Sequence, residues 1–113
     1  MKLPNKVNTL TDLAEFLKTL EHDQYKTLQN GFNMRDPDAC IGGWLRRIKN
    51  VEGFTFKKLV LELDPSLDEL QAHLLCFPEH PEAWSATPHQ AARAVEILRD
   101  TGKCDWERAM KEA

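Results

Sequence analysis

The chain reads as an all-α, single-domain bundle of about five to six short helices. Apolar side chains recur at spacings of three and four along most of its length, the period of helices with one buried face. Capping signatures open several of those stretches, with Ser, Thr or Asp ahead of Pro, Glu or Gln. The one brief alternation of strand type, Phe54 to Phe56, fails at Lys58. With 113 residues, and neither a repeat nor a long linker, residues 1–113 are expected to form one helical domain.

Each element follows from local signals. Thr9-Leu10-Thr11-Asp12 resembles a capping box, and Leu10, Leu13, Leu17 and Leu20 continue from it at helical spacing. These predict a first helix over about residues 10–21. Residues 22–31 extend that helix or form their own turn, closed by Asn30-Gly31. Asp36-Pro37 reads as a cap with proline in the first helical position, so a second helix is expected over 37–49. Its inward positions are Ala39, Cys40, Ile41, Trp44, Leu45 and Ile48. Arg46, Arg47 and Lys49 lie at its carboxyl end, where the dipole favours cations. Gly42-Gly43 inside a helix would cost about 1 kcal/mol per glycine relative to Ala. Close approach of a neighbouring helix to bare backbone would offset that cost; a helix break leaving a small cleft beside Trp44 is the alternative.

Beyond Gly53, the residues Phe56, Leu59, Val60 and Leu63 share a helical face, and Asp64-Pro65 ends it. Ser66-Leu67-Asp68-Glu69 reads as a capping box for a helix that buries Leu67, Leu70, Leu74 and Phe77 and stops before Pro78. Residues 78–86 read as a loop carrying Trp84. Thr87-Pro88-His89-Gln90 is the clearest helix start, with Ala91, Ala94, Val95 and Leu98 buried, Ala92 and Ile97 at the margins, and Gly102 as a left-handed cap. Asp105 caps a last short helix that turns Trp106 and Met110 inward.

Composition narrows the function classes. Hydrophobic residues make up 42% and charged residues 29%, ordinary for a globular domain. No apolar run approaches the roughly 20 residues of a membrane span. The opening Met1-Lys2-Leu3-Pro4-Asn5-Lys6 lacks the apolar core of a secretory signal. Cys40, Cys76 and Cys104 are widely spaced and odd in number, unlike a disulfide framework. A cytoplasmic location is therefore expected. Net charge is −3 but unevenly spread: residues 35–58 carry +3 and residues 59–113 carry −6. No strongly basic stripe is present, so nucleic-acid binding is not expected.

No complete catalytic or metal motif emerges. His73-x-x-Cys76-x-x-x-His80 has ligand-type residues, but a structural zinc needs about four ligands and no second pair follows, so a buried Cys76 beside a partly exposed His73 is expected instead. Cys40 near a helix start could have a lowered thiol pKa, yet it would need His73 or His89 as a base, and between Ala39, Ile41 and Trp44 it reads rather as a small buried core residue. Asp68-Glu69 is explained by capping, and Gly42-Gly43 lacks the Lys-Ser/Thr of a phosphate loop. The expectation is a non-enzymatic protein with no cofactor. Its candidate binding surface comprises Gly42, Gly43, Arg46, Arg47, Lys49, Lys57, Lys58 and Trp84. The cations could receive an acidic protein, a nucleotide or a phosphate. Trp84 is either an interaction hot spot or a lid over the core.

Two stretches also carry a resemblance. Asp38-Ala39-Cys40-Ile41-Gly42-Gly43-Trp44-Leu45 resembles a "CIAGH"-type segment of small uncharacterised helical proteins of bacteria and their phages. Thr87-Pro88-His89-Gln90-Ala91-Ala92-Arg93-Ala94-Val95 with Thr101-Gly102-Lys103-Cys104-Asp105-Trp106 is similar to the "TPxxAAxAxxxLxxTGxxDW" block of the same proteins. Gly43-Trp44 stands where those proteins often have Gly-His, so no role of that histidine carries over. The resemblance implies a bacterial or phage origin and no specific activity. Together these readings point to an accessory protein that binds, and in a phage setting inhibits, a host protein, with self-association open. The alternative is a domain for a small phosphate-bearing ligand near Gly42-Gly43 and Arg46-Arg47.

Overall fold

A computed structural model describes residues 6–53 and 55–113 of the chain. The N-terminal residues 1–5 and Phe54, which enter the signal and strand readings above, lie outside the described residues. The fold is a small all-α bundle of six α-helices with one two-stranded pairing among the described residues.

Helix α1 spans Leu10–Leu17. The capping box forms as expected: the Asp12 amide donates to Thr9 Oγ1 at 3.1 Å and the Thr9 amide to Asp12 Oδ2 at 3.2 Å. The helix ends four residues before the expected boundary. There the Thr19 amide and hydroxyl both donate to the Phe16 carbonyl, at 3.0 and 2.7 Å, which tightens the last turn and ends the α ladder. Strand β1 (Glu21–His22) then pairs in parallel with β2 (Gly31–Phe32).

The loop between them winds around a buried Asp23, whose carboxylate accepts the amides of Tyr25, Thr27 and Leu28 at 3.2, 3.1 and 2.8 Å. Gly31 lies against the Asp23 side chain, leaving no room for a Cβ. Residues 22–31 thus do not extend α1; they form a separate, non-helical turn between the two short strands, as the second alternative had it.

Helix α2 covers Ile41–Lys49 and begins four residues later than expected. Asp36-Pro37 does not cap it. Instead the Asp36 carbonyl accepts the amides of Ala39 and Cys40 at 3.0 and 2.9 Å, closing a separate turn. Cys40 is the actual cap, with Sγ accepting from the Gly43 amide at 3.4 Å. Gly42 and Gly43 therefore occupy the first turn and not the helix middle.

Helix α3 runs Phe56–Leu63 from a Thr55 cap. At Gly42 the Phe56 ring fills the space of the missing side chain; at Gly43 the backbone of Pro37 and Asp38 does so. Close approach is what both glycines permit, from a neighbouring helix in one case and from the chain's own preceding turn in the other.

Helix α4 spans Glu69–Cys76 and is capped by Asp68, whose Oδ1 accepts the Leu70 amide at 2.8 Å. Ser66 does not cap it; its hydroxyl donates to Asp64 Oδ1 at 2.6 Å. The buried face also differs from expectation. Ala72, Leu75 and Cys76 face the core, while Leu70 is 58% and Phe77 43% exposed. Leu67 is buried as expected, but from the turn preceding the helix. This helix is apolar on two sides, so periodicity alone does not select the inner one, and the face bearing small Ala72 and Cys76 allows closer packing.

Residues 78–86 contain a 3-10 helix, Pro81–Ser85, where a loop was expected. Helix α5 (Pro88–Thr101) forms between the expected signals: Thr87 and Gln90 make a complete capping box, and Gly102 takes φ +74. It packs against α1, α4 and α6 (Trp106–Glu112). Ala92 and Ile97, expected at its margins, are also buried. Asp105 caps α6, and the Trp106 indole donates to the Leu74 carbonyl at 3.0 Å. Among the described residues no helix is long and apolar enough to cross a membrane.

Candidate functional site

An apolar recess lies between α2, α3 and α4. Two decisions made lower in the hierarchy create it. Thr55 caps α3 and so starts it at Phe56, whose ring covers Gly42. The chosen register of α4 leaves His73 and Phe77 pointing outward, with Leu70 on the same side one turn further back.

The resulting groove has a volume of about 460 Å³ and is lined by Pro37, Arg46, Thr55, Phe56, Lys57, His73 and Phe77. The rings of Phe56 and Phe77 are nearly parallel, with centroids 5.8 Å apart, and His73 stacks on Phe77 at 4.9 Å. Arg46 places its guanidinium carbon 4.6 Å from the centroid of Phe56, a cation–π arrangement. Lys57 stands at the rim with Nζ 3.7 Å from Glu69 Oε2. The groove thus combines aromatic walls with two cations.

The residues singled out from the sequence are only partly gathered here. Arg46 and Lys57 line the groove. Arg47 instead sits over the Trp44 ring at 4.4 Å, and Lys49 donates to Asn8 Oδ1 at 3.4 Å. Lys58 is exposed, without a place in the lining. Gly42 and Gly43 are buried, and the Gly43 amide is taken by Cys40 Sγ. Neither glycine offers its backbone to a ligand.

Trp84 belongs to a different, more polar recess of about 350 Å³, shared with His22, Gln24, Tyr25, Asn33, Arg35 and Ser85. It is half-buried and packs against the core, so it combines the features of lid and surface. Sequence reasoning missed this groove because it placed Phe56 and Phe77 on core faces of their helices and weighed His73 only as a metal ligand or a base. The available signal was the second apolar face of α4.

The thiols are set against nucleophilic chemistry. Burial pushes the Cys40 thiol up, outweighing the Gly43 and Gly42 amides that would lower it. Its hydrogen-bond partners are the Pro37 carbonyl at 3.8 Å and the Gly43 amide at 3.4 Å, and neither is a base. Cys40 is thus the core residue its apolar neighbours predict, and the alternative of a dipole-lowered thiol fails because desolvation exceeds the amide contribution. Burial holds Cys76 well above the usual range and raises Cys104 to about 12.

His73, Cys76 and His80 do not converge. Cys76 is in the core, His73 lies on Phe77, and His80 faces Glu82 at 3.8 Å. Among the described residues no three His, Cys, Asp or Glu side chains are grouped where they could hold a metal ion. Compared with known families, curated proteins and solved structures, the chain has no match.

Proposed function

We propose that this protein is a non-enzymatic binding module whose groove between Phe56 and Phe77 receives a short segment of a partner protein, anchored by an apolar side chain beside a carboxylate. The observation that carries this reading is the pairing of an exposed Phe77, stacked on the largely buried Phe56, with Arg46 and Lys57 in one recess. Apolar walls reward burial of an aromatic or aliphatic anchor, at about 25 cal/mol per Å². The cations add selectivity for an acidic neighbour, and orientation more than raw affinity. Leu70 extends the exposed apolar face along α4, as expected for a segment longer than one anchor. The resemblance of residues 38–45 and 87–106 suggests a bacterium or its phage as the setting, and inhibition of a host protein as the outcome. The elevated thiol pKa values favour binding over cysteine catalysis.

Screening the immobilised protein against a displayed peptide library tests the reading. The recovered peptides are expected to pair Phe, Trp, Leu or Ile with Asp or Glu, and binding should be lost in Phe77→Asp and weakened in Lys57→Glu. Recovery of no common motif, or of one that both variants bind as well as wild type, rejects it. A concentration-dependent dimer in light scattering that Phe77→Asp dissolves would instead assign the groove to a second copy of the chain. A nucleotide that raises the melting temperature and is displaced from neither variant would favour the phosphate-ligand alternative.

A further inference from the structure

The recess around Trp84 shares no lining residue with the groove and has its own chemistry. Of the three indoles, those of Trp44 and Trp106 donate to the carbonyls of Gly31 and Leu74, each at 3.0 Å. The Trp84 indole has no acceptor among the described residues, although its ring packs against the core. A half-buried tryptophan ordinarily finds such a partner or keeps its polar end wet. Across from it, Tyr25 is 82% exposed, held out by a loop that Asp23 fixes through three backbone amides. An exposed aromatic on a loop pinned at its base is a surface prepared for stacking.

The polar lining is rich in donors. Arg35 is steered into place by its Nη2 bond to Ser85 Oγ at 3.3 Å and by the Asn33 side chain, which accepts the Arg35 amide at 2.9 Å. Gln24 adds an amide, and no Asp or Glu is among the residues lining the recess. The acids of residues 22–37 are engaged elsewhere: Asp23 by its loop amides, and Asp36 by Lys26 at 4.0 Å and the Asp38 amide at 3.0 Å. One uncompensated guanidinium, a free indole N–H and two aromatic rings thus meet around about 350 Å³, a volume suited to a small molecule.

We propose that this recess binds a small anion carrying a flat ring. The ring would lie against Trp84 and Tyr25, and the oxyanion would take Arg35, whose planar fork suits carboxylate and phosphate alike. Ring and anion are both required, because neither a lone guanidinium at the surface nor an aromatic face alone gives useful affinity.

The test is a titration of the full chain followed by the three indole N–H resonances in a proton–nitrogen correlation spectrum, with Trp84 identified by Trp84→Phe. Aromatic carboxylates such as anthranilate form one arm and nucleoside monophosphates the other, which separates the two sources of oxyanion. Benzamide, nucleosides, acetate and inorganic phosphate supply ring or anion alone. Saturable movement of the Trp84 resonance is expected in one of the two ring-anion arms, with the half-ligands about tenfold or more weaker, the loss of one charge-assisted hydrogen bond. Arg35→Gln should weaken ring-anion binding by a similar factor while the Trp44 and Trp106 resonances stay in place. The proposal fails if neither arm moves the Trp84 resonance, if the half-ligands bind as well, or if Arg35→Gln binds unchanged.

Discussion

Replacing Gly42 or Gly43 by Ala reverses the sign expected from helix propensity. In an open helix position Gly→Ala stabilises by about 0.5–1 kcal/mol. Here the new Cβ of Gly42→Ala would overlap the Phe56 ring, and that of Gly43→Ala the Pro37 carbonyl and Asp38 backbone. Overpacking of this kind costs about 1–3 kcal/mol. Phe56 borders the open groove, so its ring can swing outward, and the net loss for Gly42→Ala should be about 1 kcal/mol.

The turn behind Gly43 has less freedom, because the Asp36 carbonyl ties it to Ala39 and Cys40. Gly43→Ala should therefore lose about 2 kcal/mol. At about 4 °C or more per kcal/mol for a chain of this size, melting should drop by about 4 °C and 8 °C respectively. Urea unfolding followed by circular dichroism measures both. A cycle with Phe56→Ala assigns the cause: in that background Gly42→Ala should become neutral or stabilising, while Gly43→Ala stays harmful. A Gly43→Ala protein as stable as wild type, or a Gly42→Ala cost unchanged without the Phe56 ring, would refute the packing account.

Phe77→Asp should cost about 1–2 kcal/mol, because it removes the stacks on Phe56 and His73 and sets a carboxylate at the carboxyl end of α4. Urea unfolding measures it, and a loss of about 4 kcal/mol or more would mean that Phe77 belongs to the core. The backbone amide of Leu28, followed by those of Thr27 and Tyr25, holds the Asp23 carboxyl below its ordinary range. A depressed folded pKa contributes stability above the unfolded value of about 3.9 that is lost as pH falls through the folded one. Urea midpoints should accordingly fall below about pH 4, and less steeply in Asp23→Asn; an unchanged slope in that variant would remove Asp23 from the account. Because burial raises all three thiols, labelling by a disulfide reagent at neutral pH should be slow in the native protein and fast in urea. Rapid native labelling of Cys40 alone would restore the case for cysteine chemistry.

The elements most legible in the sequence are those specified by local chemistry. Thr9 with Asp12 and Thr87 with Gln90 satisfy helix amides within four residues, so their side chains announce the starts of α1 and α5 without help from the rest of the chain. Where tertiary contacts decide, the sequence reading slipped. Asp36-Pro37 has the form of a helix start, but the close approach of its turn to Gly43 moves that start to Cys40. The short pairing of Glu21–His22 with Gly31–Phe32 depends on a buried Asp23 collecting amides from its own loop, which no periodicity reveals. The candidate site suffered similarly. Arg46 and Lys57 were marked by their charge, but the groove they border exists only because α4 buries Ala72, Leu75 and Cys76 and turns Phe77 outward. A helix with two apolar faces leaves that choice to packing.

The two recesses meet at one piece of backbone. Arg35 lies in the Trp84 recess and Pro37 in the groove, and the turn that begins at Asp36 stands between them. Its position rests on the absence of a side chain at Gly43. Moving the turn should therefore disturb both surfaces, whereas displacing Phe56 should disturb only one. Gly43→Ala is expected to weaken peptide capture by the groove and to shift the Trp84 indole resonance in the free protein. Gly42→Ala should weaken peptide capture and leave that resonance where it is. Peptide titrations and the same correlation spectra of both variants, recorded well below their melting temperatures, separate the cases. If Gly43→Ala alters neither surface, the 36–40 turn adapts locally and the recesses are independent; if Gly42→Ala moves the Trp84 resonance, the connection runs through α2 and not through the turn.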